Sequence, residues 1–394
     1  MPSTTRRRFG ALRQLPSGRW QARYPDPGGG SPLLAAPQTF RTKTDAARYL
    51  AAVETDVARG TWLDPRRSGV TLATYAQAWL GSRRVKGQPL APSTLSTYRR
   101  RLEQQIIPAL GELPLDRITS AAVRRWHADV TTVGATTAAQ AYRLLHAVLA
   151  TAVADGDLAR NPCQVKGAGQ PPTAERPLVD RAQVQALAEQ MPAHLHAFVL
   201  LAFWGGLRLG ELLGLEAGDV TLDRVAGRGS VRVQRQQQDV DGRTLVTAPK
   251  AGSARTVHLP SPAVEALAAH LAGRPLALPN ARVFTRPDGL PLRGFDVHRH
   301  WDRAREAVGQ PGLHVHDLRH AGLTLAAQTG ATLAEVMRRA GHSTSRAALI
   351  YQHAAEDRDC ELAARMGAAT GGTPAPVVAR EWHAEVIQHP SQAR

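Results

Sequence analysis

Apolar residues recur along this chain in two rhythms, and the changes of rhythm divide it. Near the N-terminus, "ALRQL" and "RWQARY" alternate around a turn at 16–18, and a Pro/Gly loop at 25–37 leads to "QTF". Such alternation predicts short, half-buried strands. "KTDAARYLAAVETDVARG" then shifts to helical spacing, with Thr44 ahead of Asp45 as the start and Gly60 as the stop. Beyond the linker "DPRRSG", the stretches "TLATYAQAWLGSRR", "APSTLSTYRRRLEQQIIPAL", "TSAAVRRWHADV" and "TTAAQAYRLLHAVLATAVADG" carry apolar residues three and four apart. Gly and Pro punctuate them, which predicts a bundle of about four helices.

The segment "NPCQVKGAGQPPTAERP" has no period and reads as a linker. From about 175 the helical rhythm returns in "DRAQVQALAEQM" and "AHLHAFVLLAFWGGLRLGELLGL". Three strands follow, "SVRVQRQQ", "TLVTAPK" and "ARTVHLP", with turns at Asp241-Gly242 and Ala251-Gly252-Ser253. Helices resume to about 366, and the tail reads as loosely structured, with a short helix or strand around 381–387. The expected fold is multidomain and mainly α. It has a small β-rich N-terminal domain at 1–65, a helical domain at 66–163, a linker at 164–174, a mixed α+β domain with a small three-stranded sheet at 175–366, and a tail at 367–394.

Charge adds a partner to this picture. The chain has 394 residues, 43% hydrophobic, with 49 Lys+Arg against 33 Asp+Glu and a formal net charge of +16. That excess favours a polyanion, nucleic acid before membrane. Residues 1–65 carry ten basic and five acidic side chains, and 66–163 carry thirteen and six, so both upstream domains share the excess. No run of about 18 apolar residues and no apolar signal core occur, so the expected place of action is the cytoplasm. Cys163 and Cys360 form no C-x-x-C pair, which argues against a disulfide scaffold or a cysteine-based zinc module.

Candidate chemistry concentrates after residue 200. Arg208 and Glu211 stand three apart among leucines; such a pair is ordinarily a surface ion pair, but here the setting is apolar, and a buried arginine fixed by a carboxylate suits an anion. Lys250, one of only four lysines, precedes a turn, where a lysine usually just faces solvent. Unlike arginine it can be tuned to give up a proton. In "HVHDLRH", His316 and His320 have the spacing of a zinc motif, yet Arg319 between them would repel a cation; the alternative is that His316 and Arg319 grip phosphate. His342 follows a glycine, and Tyr351 lies nine residues on. Two arginines, a lysine, two histidines and a tyrosine together suit the transfer of a phosphoryl group to a tyrosyl oxygen.

The ordered set Arg208, Glu211, Lys250, His316, Arg319, His342 and Tyr351, with "GLRLGELLGL", "HDLRH", "GHST" and "YQH" around it, resembles the tyrosine recombinase (phage integrase) family. The likeness is specific over 175–366 and extends upstream to a helical core-binding domain and, more weakly, to an arm-type DNA-binding domain at the N-terminus. Ala321 and Ala340 depart from the family's usual Thr or Ser and Leu, putting local packing rather than chemistry in question.

The resemblance implies site-specific cleavage and rejoining of DNA through a 3'-phosphotyrosyl intermediate, integrating or excising a phage or mobile element. Tyr351 is then the nucleophile, Arg208 and Arg319 hold the non-bridging oxygens, and Lys250 protonates the leaving 5' oxygen. His316 assists proton transfer, His342 bonds the phosphate, and Glu211 orients Arg208. No cofactor or metal is implied. The implied partners are double-stranded attachment sites, four protomers on DNA, and accessory DNA-bending or directionality factors, with the tail docking on a neighbouring protomer. A chromosome-resolution or transposon recombinase, a type IB topoisomerase, a non-catalytic DNA-binding regulator and a zinc hydrolase are the rival readings.

Overall fold

The computed structural model describes residues 9–29, 31–60, 62, 64, 69–171, 179–249, 253–272, 278–342, 344 and 366–367. Lys250, Tyr351 and all but the first residue of the 367–394 tail lie outside them. In the N-terminal part, β1 (Ala11–Gln14), β2 (Trp20–Tyr24) and β3 (Leu34–Ala35) form an antiparallel sheet in that order. Ala22 and Tyr24 alternate inward onto Ala46, Leu50 and Val53 of α1 (Lys43–Arg59), as a period of two requires. The same period puts Gln21 and Arg23 on the other face, where Arg13 and Ala11 pair with them. The helix starts earlier than the sequence suggests. Thr42, not Thr44, is the N-cap, because its Oγ1 reaches the Asp45 N–H at 3.1 Å; Gly60 ends the helix in the left-handed region.

The central helices are α2 (Leu72–Ser82), α3 (Pro92–Arg101), α4 (Ile107–Leu110), α5 (Ser120–Val133) and α6 (Ala135–Ala154). Leu72, Trp79, Ile106, Trp126, Leu145 and Leu149 are among the residues forming their core. A π-turn at Leu102–Ile106 joins α3 to α4. Pro108 has no N–H to give the Gln104 carbonyl one turn back, and the neighbouring Gln105 carbonyl accepts from the Trp126 indole at 2.7 Å. A two-residue-per-strand hairpin, β4 (Arg84–Val85) and β5 (Gln88–Pro89), is too short to show as a period. Its turn is Lys86-Gly87, both at positive φ.

The last unit is built around α8 (Ala193–Trp204), whose buried Leu195, Phe198, Leu201 and Phe203 mark it as a core helix. It packs against α7 (Arg181–Gln190), α10 (Ser261–Ala272) and α12 (Val315–Gln328). α9 (Leu209–Leu213), α11 (Gly294–Ala307) and α13 (Leu333–Ala340) complete its helices among the described residues.

The expected three-stranded sheet exists with different membership. β6 (Val220–Asp223), β7 (Arg228–Val233) and β10 (Arg255–Leu259) form it in the order β10-β7-β6, all antiparallel. "TLVTAPK" is not its middle strand. β8 (Gln236–Val240) and β9 (Arg243–Thr247) make a separate hairpin over Asp241-Gly242, both at positive φ. No helix among the described residues is long and apolar enough to cross a membrane.

Candidate active site

The site forms where α13 ends. Its start is fixed by a reciprocal cap, Thr332 N–H to Glu335 at 2.7 Å and Glu335 N–H to Thr332 Oγ1 at 3.3 Å. At the other end Gly341 turns left-handed (φ 62°), and the His342 N–H returns to the Met337 carbonyl at 3.0 Å. The last carbonyls of a helix lack intrahelical partners and carry its negative dipole end. Here three consecutive carbonyls each hold a different arginine: Arg339 O accepts from Arg255 Nε at 2.7 Å, Ala340 O from Arg319 Nη2, and Gly341 O from Arg208 Nη2 at 3.2 Å. The side chain of Arg339 donates to the carbonyls of His258 (3.1 Å) and Trp204, pinning the helix to β10 and α8.

Arg208 arrives from the break after α8. Gly206, at φ 59°, ends that helix and leaves its carbonyl for Arg319 Nη1. Arg208 is the N-cap residue of α9, and Glu211, three residues on, reaches back to its N–H at 2.9 Å and its Nη1 at 2.6 Å. The same carboxylate takes Arg255 Nη1 at 3.0 Å and Nη2 at 2.9 Å, and Arg319 Nη1 stands 4.0 Å away. Burial would raise the Glu211 pKa, but the hydrogen bond and charge of Arg255, followed by the N–H and charge of Arg208, outweigh it and hold the carboxyl below its ordinary range. One ionised carboxylate therefore stands among three guanidiniums, a net of two positive charges. Arg319 is 1% exposed, whereas the Arg208 side chain is 25% exposed.

The two predicted histidines flank this cluster. A guanidinium only donates, so the 3.1 Å contact of Arg319 Nη2 with His342 Nε2 makes that nitrogen an acceptor and puts the ring proton on Nδ1. Consistently, desolvation and the charges of Arg319, Arg208 and Arg255 push His342 down to about 4. His316 lies in the first turn of α12 and is exposed. Loss of water on the protein side, then repulsion from His320, Arg319 and Arg208, outweighs Asp317 and pushes it also to about 4. Both rings are neutral near pH 7.

His320 stands edge-to-face with His316, centroids 4.8 Å apart, and the buried Asp317 accepts from the N–H of His314, the N-cap of α12, at 2.8 Å. No three His, Cys, Asp or Glu side chains among the described residues converge as a metal site.

The structure thus brings together Arg208, Glu211, His316, Arg319 and His342, while Lys250 and Tyr351 fall outside the described residues. Arg255 was missed by sequence reasoning. Its signal was present, since Arg255, Val257 and Leu259 share the buried phase of one strand.

Three family models cover the chain: "Phage integrase, N-terminal domain" over 8–59, "Phage integrase central domain" over 72–168 and "Phage integrase family" over 178–358. A putative prophage phiRv2 integrase of Mycobacterium tuberculosis is 39% identical over 375 residues, covering 91% of this chain and 95% of the relative. The integrase of Mycobacterium phage L5 is 34% identical over 379 residues, covering 92% and 98%. A lambda integrase dimer bound to a COC' core site shares the fold, with a TM-score of 0.54 and 19% identity over 97% of this chain and 99% of that one. The chain belongs to the phage integrase family and is a tyrosine-type site-specific DNA recombinase.

Proposed function

We propose that Tyr351 attacks a DNA phosphodiester held over the cationic end of α13. The observation that carries this reading is the charge of the site: Arg208, Arg255 and Arg319 around the single carboxylate of Glu211, with both histidines neutral. A phosphodiester supplies the missing negative charge, and the pentavalent transition state carries more of it than the ground state. Arg208, the more exposed guanidinium, and Arg319 hold the non-bridging oxygens. His316 takes the tyrosyl proton, and Lys250 gives one to the departing 5' oxygen. As the bond from phosphorus to Tyr351 forms, the bond to that oxygen breaks, and the energy stored in the phosphotyrosyl link drives rejoining without a cofactor. The arriving anion raises the pKa of His342, turning Nε2 from an acceptor of Arg319 into a donor to phosphate.

In this reading, residues 1–65 bind arm-type sites, offering Arg13, Gln21 and Arg23 on the outward sheet face, and 66–163 grip the core site. Four protomers exchange strands on two attachment duplexes in the cytoplasm, passing through a Holliday junction, with accessory proteins setting direction. The test is a nicked duplex spanning the junction between element and host DNA, incubated with the protein in EDTA. A covalent adduct is expected, and mass spectrometry should place the nucleotide on Tyr351. No adduct, or one on another residue, overturns the assignment.

The pH dependence has a definite sign. A proton acceptor with a free-enzyme pKa pushed down to about 4 stays competent through the range where an ordinary histidine, at about 6.5, would protonate. The cleavage rate at subsaturating DNA should therefore show no acid break near 6.5 and fall only toward about 4. At saturating DNA the bound phosphate favours the charged ring, so the break should move upward. An acid limb at 6.5 with subsaturating DNA would remove His316 from this role.

A further inference from the structure

Arg255 contributes charge to the site but touches no reacting group in the chemistry above, and its side chain is heavily engaged. Four of its five N–H donors are used: Nε on Arg339 O, Nη1 on Glu211 Oε1 and on Ser253 O at 2.9 Å, and Nη2 on Glu211 Oε2. With its side chain 5% exposed and one donor left over, it is not placed to face substrate. Its contacts instead join three pieces of the site. Glu211 is the group that holds Arg208; the Arg339 carbonyl belongs to the helix end that presents His342; and β10 itself begins five residues after Lys250. Gly341 packs close on it, since a Cβ there would lie 3.0 Å from Arg255 Nη1.

We propose that Arg255 is a positioning residue for DNA cleavage: its two-pronged grip on Glu211 and its bond to the end of α13 set the attitude of Arg208 and its register with His342. The inference rests on the role of Arg208 proposed above. The two-pronged geometry matters because Arg255 braces from β10 both oxygens of the carboxylate that Arg208 holds through its own N–H and Nη1, so that Glu211 presents Arg208 at a fixed angle. Misplacing a catalytic group by about 1 Å costs on the order of 10²-fold in rate.

The experiment is a double-mutant cycle in the nicked-duplex assay, with single-turnover cleavage rate, DNA affinity and melting temperature measured for each protein. Arg255→Met alone should slow cleavage about 10²-fold while DNA affinity changes less than about 3-fold, because the residue does not face substrate. In an Arg208→Ala background, the same substitution should cost less than about 3-fold further, since the group it positions is gone.

Multiplicative losses in the two backgrounds, as general loosening would give, overturn the proposal. Should Arg255→Met fail to melt cooperatively, Arg255→Lys decides: it keeps the charge with one prong, and cleavage at the wild-type rate refutes the positioning role, whereas a loss of about 10-fold at unchanged melting supports it. A wild-type protein that forms no adduct defeats the underlying reading. A wild-type adduct matched in rate by the Arg255 variants defeats only this inference.

Discussion

Arg319→Ala is expected to lower single-turnover DNA cleavage by at least about 10³-fold and to destabilise the catalytic unit by roughly 3 kcal/mol or more. The two effects have separate causes. For the chemistry, Arg319 is one of two guanidiniums assigned to the phosphate, and its Nη2 is also the group that fixes the His342 tautomer. Losing it removes a donor aimed at developing charge and frees a histidine to turn. For the fold, Arg319 is fully buried, and it ties the carbonyl of Gly206, after α8, to that of Ala340, at the end of α13.

Its removal strands two buried carbonyls, each costing about 1–3 kcal/mol, beside a void the size of the side chain. Arg319→Lys separates the causes. An ammonium keeps the charge, but it cannot span both carbonyls and the histidine as a planar fork does, so cleavage should fall nearly as far while melting recovers in part. Single-turnover trapping and thermal melting on the same preparations check this. An alanine variant that cleaves within about 10-fold of wild type removes Arg319 from the phosphate.

The sequence made the candidate reactive residues visible and their supports only partly so. Arg208, Glu211, His316, Arg319 and His342 could be found because side-chain chemistry and spacing are written in the residue types. The carbonyls of 339, 340 and 341 could not, because every residue has one; only the helix end makes these three acceptors. Arg255 lies between these cases. An arginine in phase with Val257 and Leu259 is a polar residue on the buried face of a strand, which asks for a partner, but nothing local names Glu211, 44 residues away.

The sheet shows the same division. Asp241-Gly242 announced a hairpin, and one formed there, yet whether it joins the three-stranded sheet depends on long-range pairing that a turn does not encode. β6 escaped notice because its alternation, Val-Thr-Leu-Asp, is only four residues long. In "HVHDLRH", an Asp three residues after the N-cap is a helix-start signal, and it explains Asp317 without any metal.

Gly322→Ala is expected to be the most damaging one-methyl change in the catalytic unit. Replacing a mid-helix glycine by alanine ordinarily gains about 1 kcal/mol. At Gly322, however, α12 lies against α8 so closely that a Cβ would overlap the carbonyl oxygen of Phe203 and sit 2.8 Å from its carbon. Neither obstacle is the movable end of a side chain, so the helices must part. Overpacking of this kind costs about 1–3 kcal/mol and at times more. Here it also strains the Arg319 bond to Gly206, which spans the same two helices just past Phe203. A net loss of roughly 3 kcal/mol should lower the melting temperature by about 6–12 °C for a unit of this size.

Cleavage should fall with it even below the melting temperature, because α12 carries both His316 and Arg319. Gly81→Ala is the internal control: it lies in α2 with open space around it, and should leave melting unchanged or slightly raised. If Gly322→Ala melts with the control, α8 and α12 can separate without cost, and the close helix contact is not what holds the arginine cluster together.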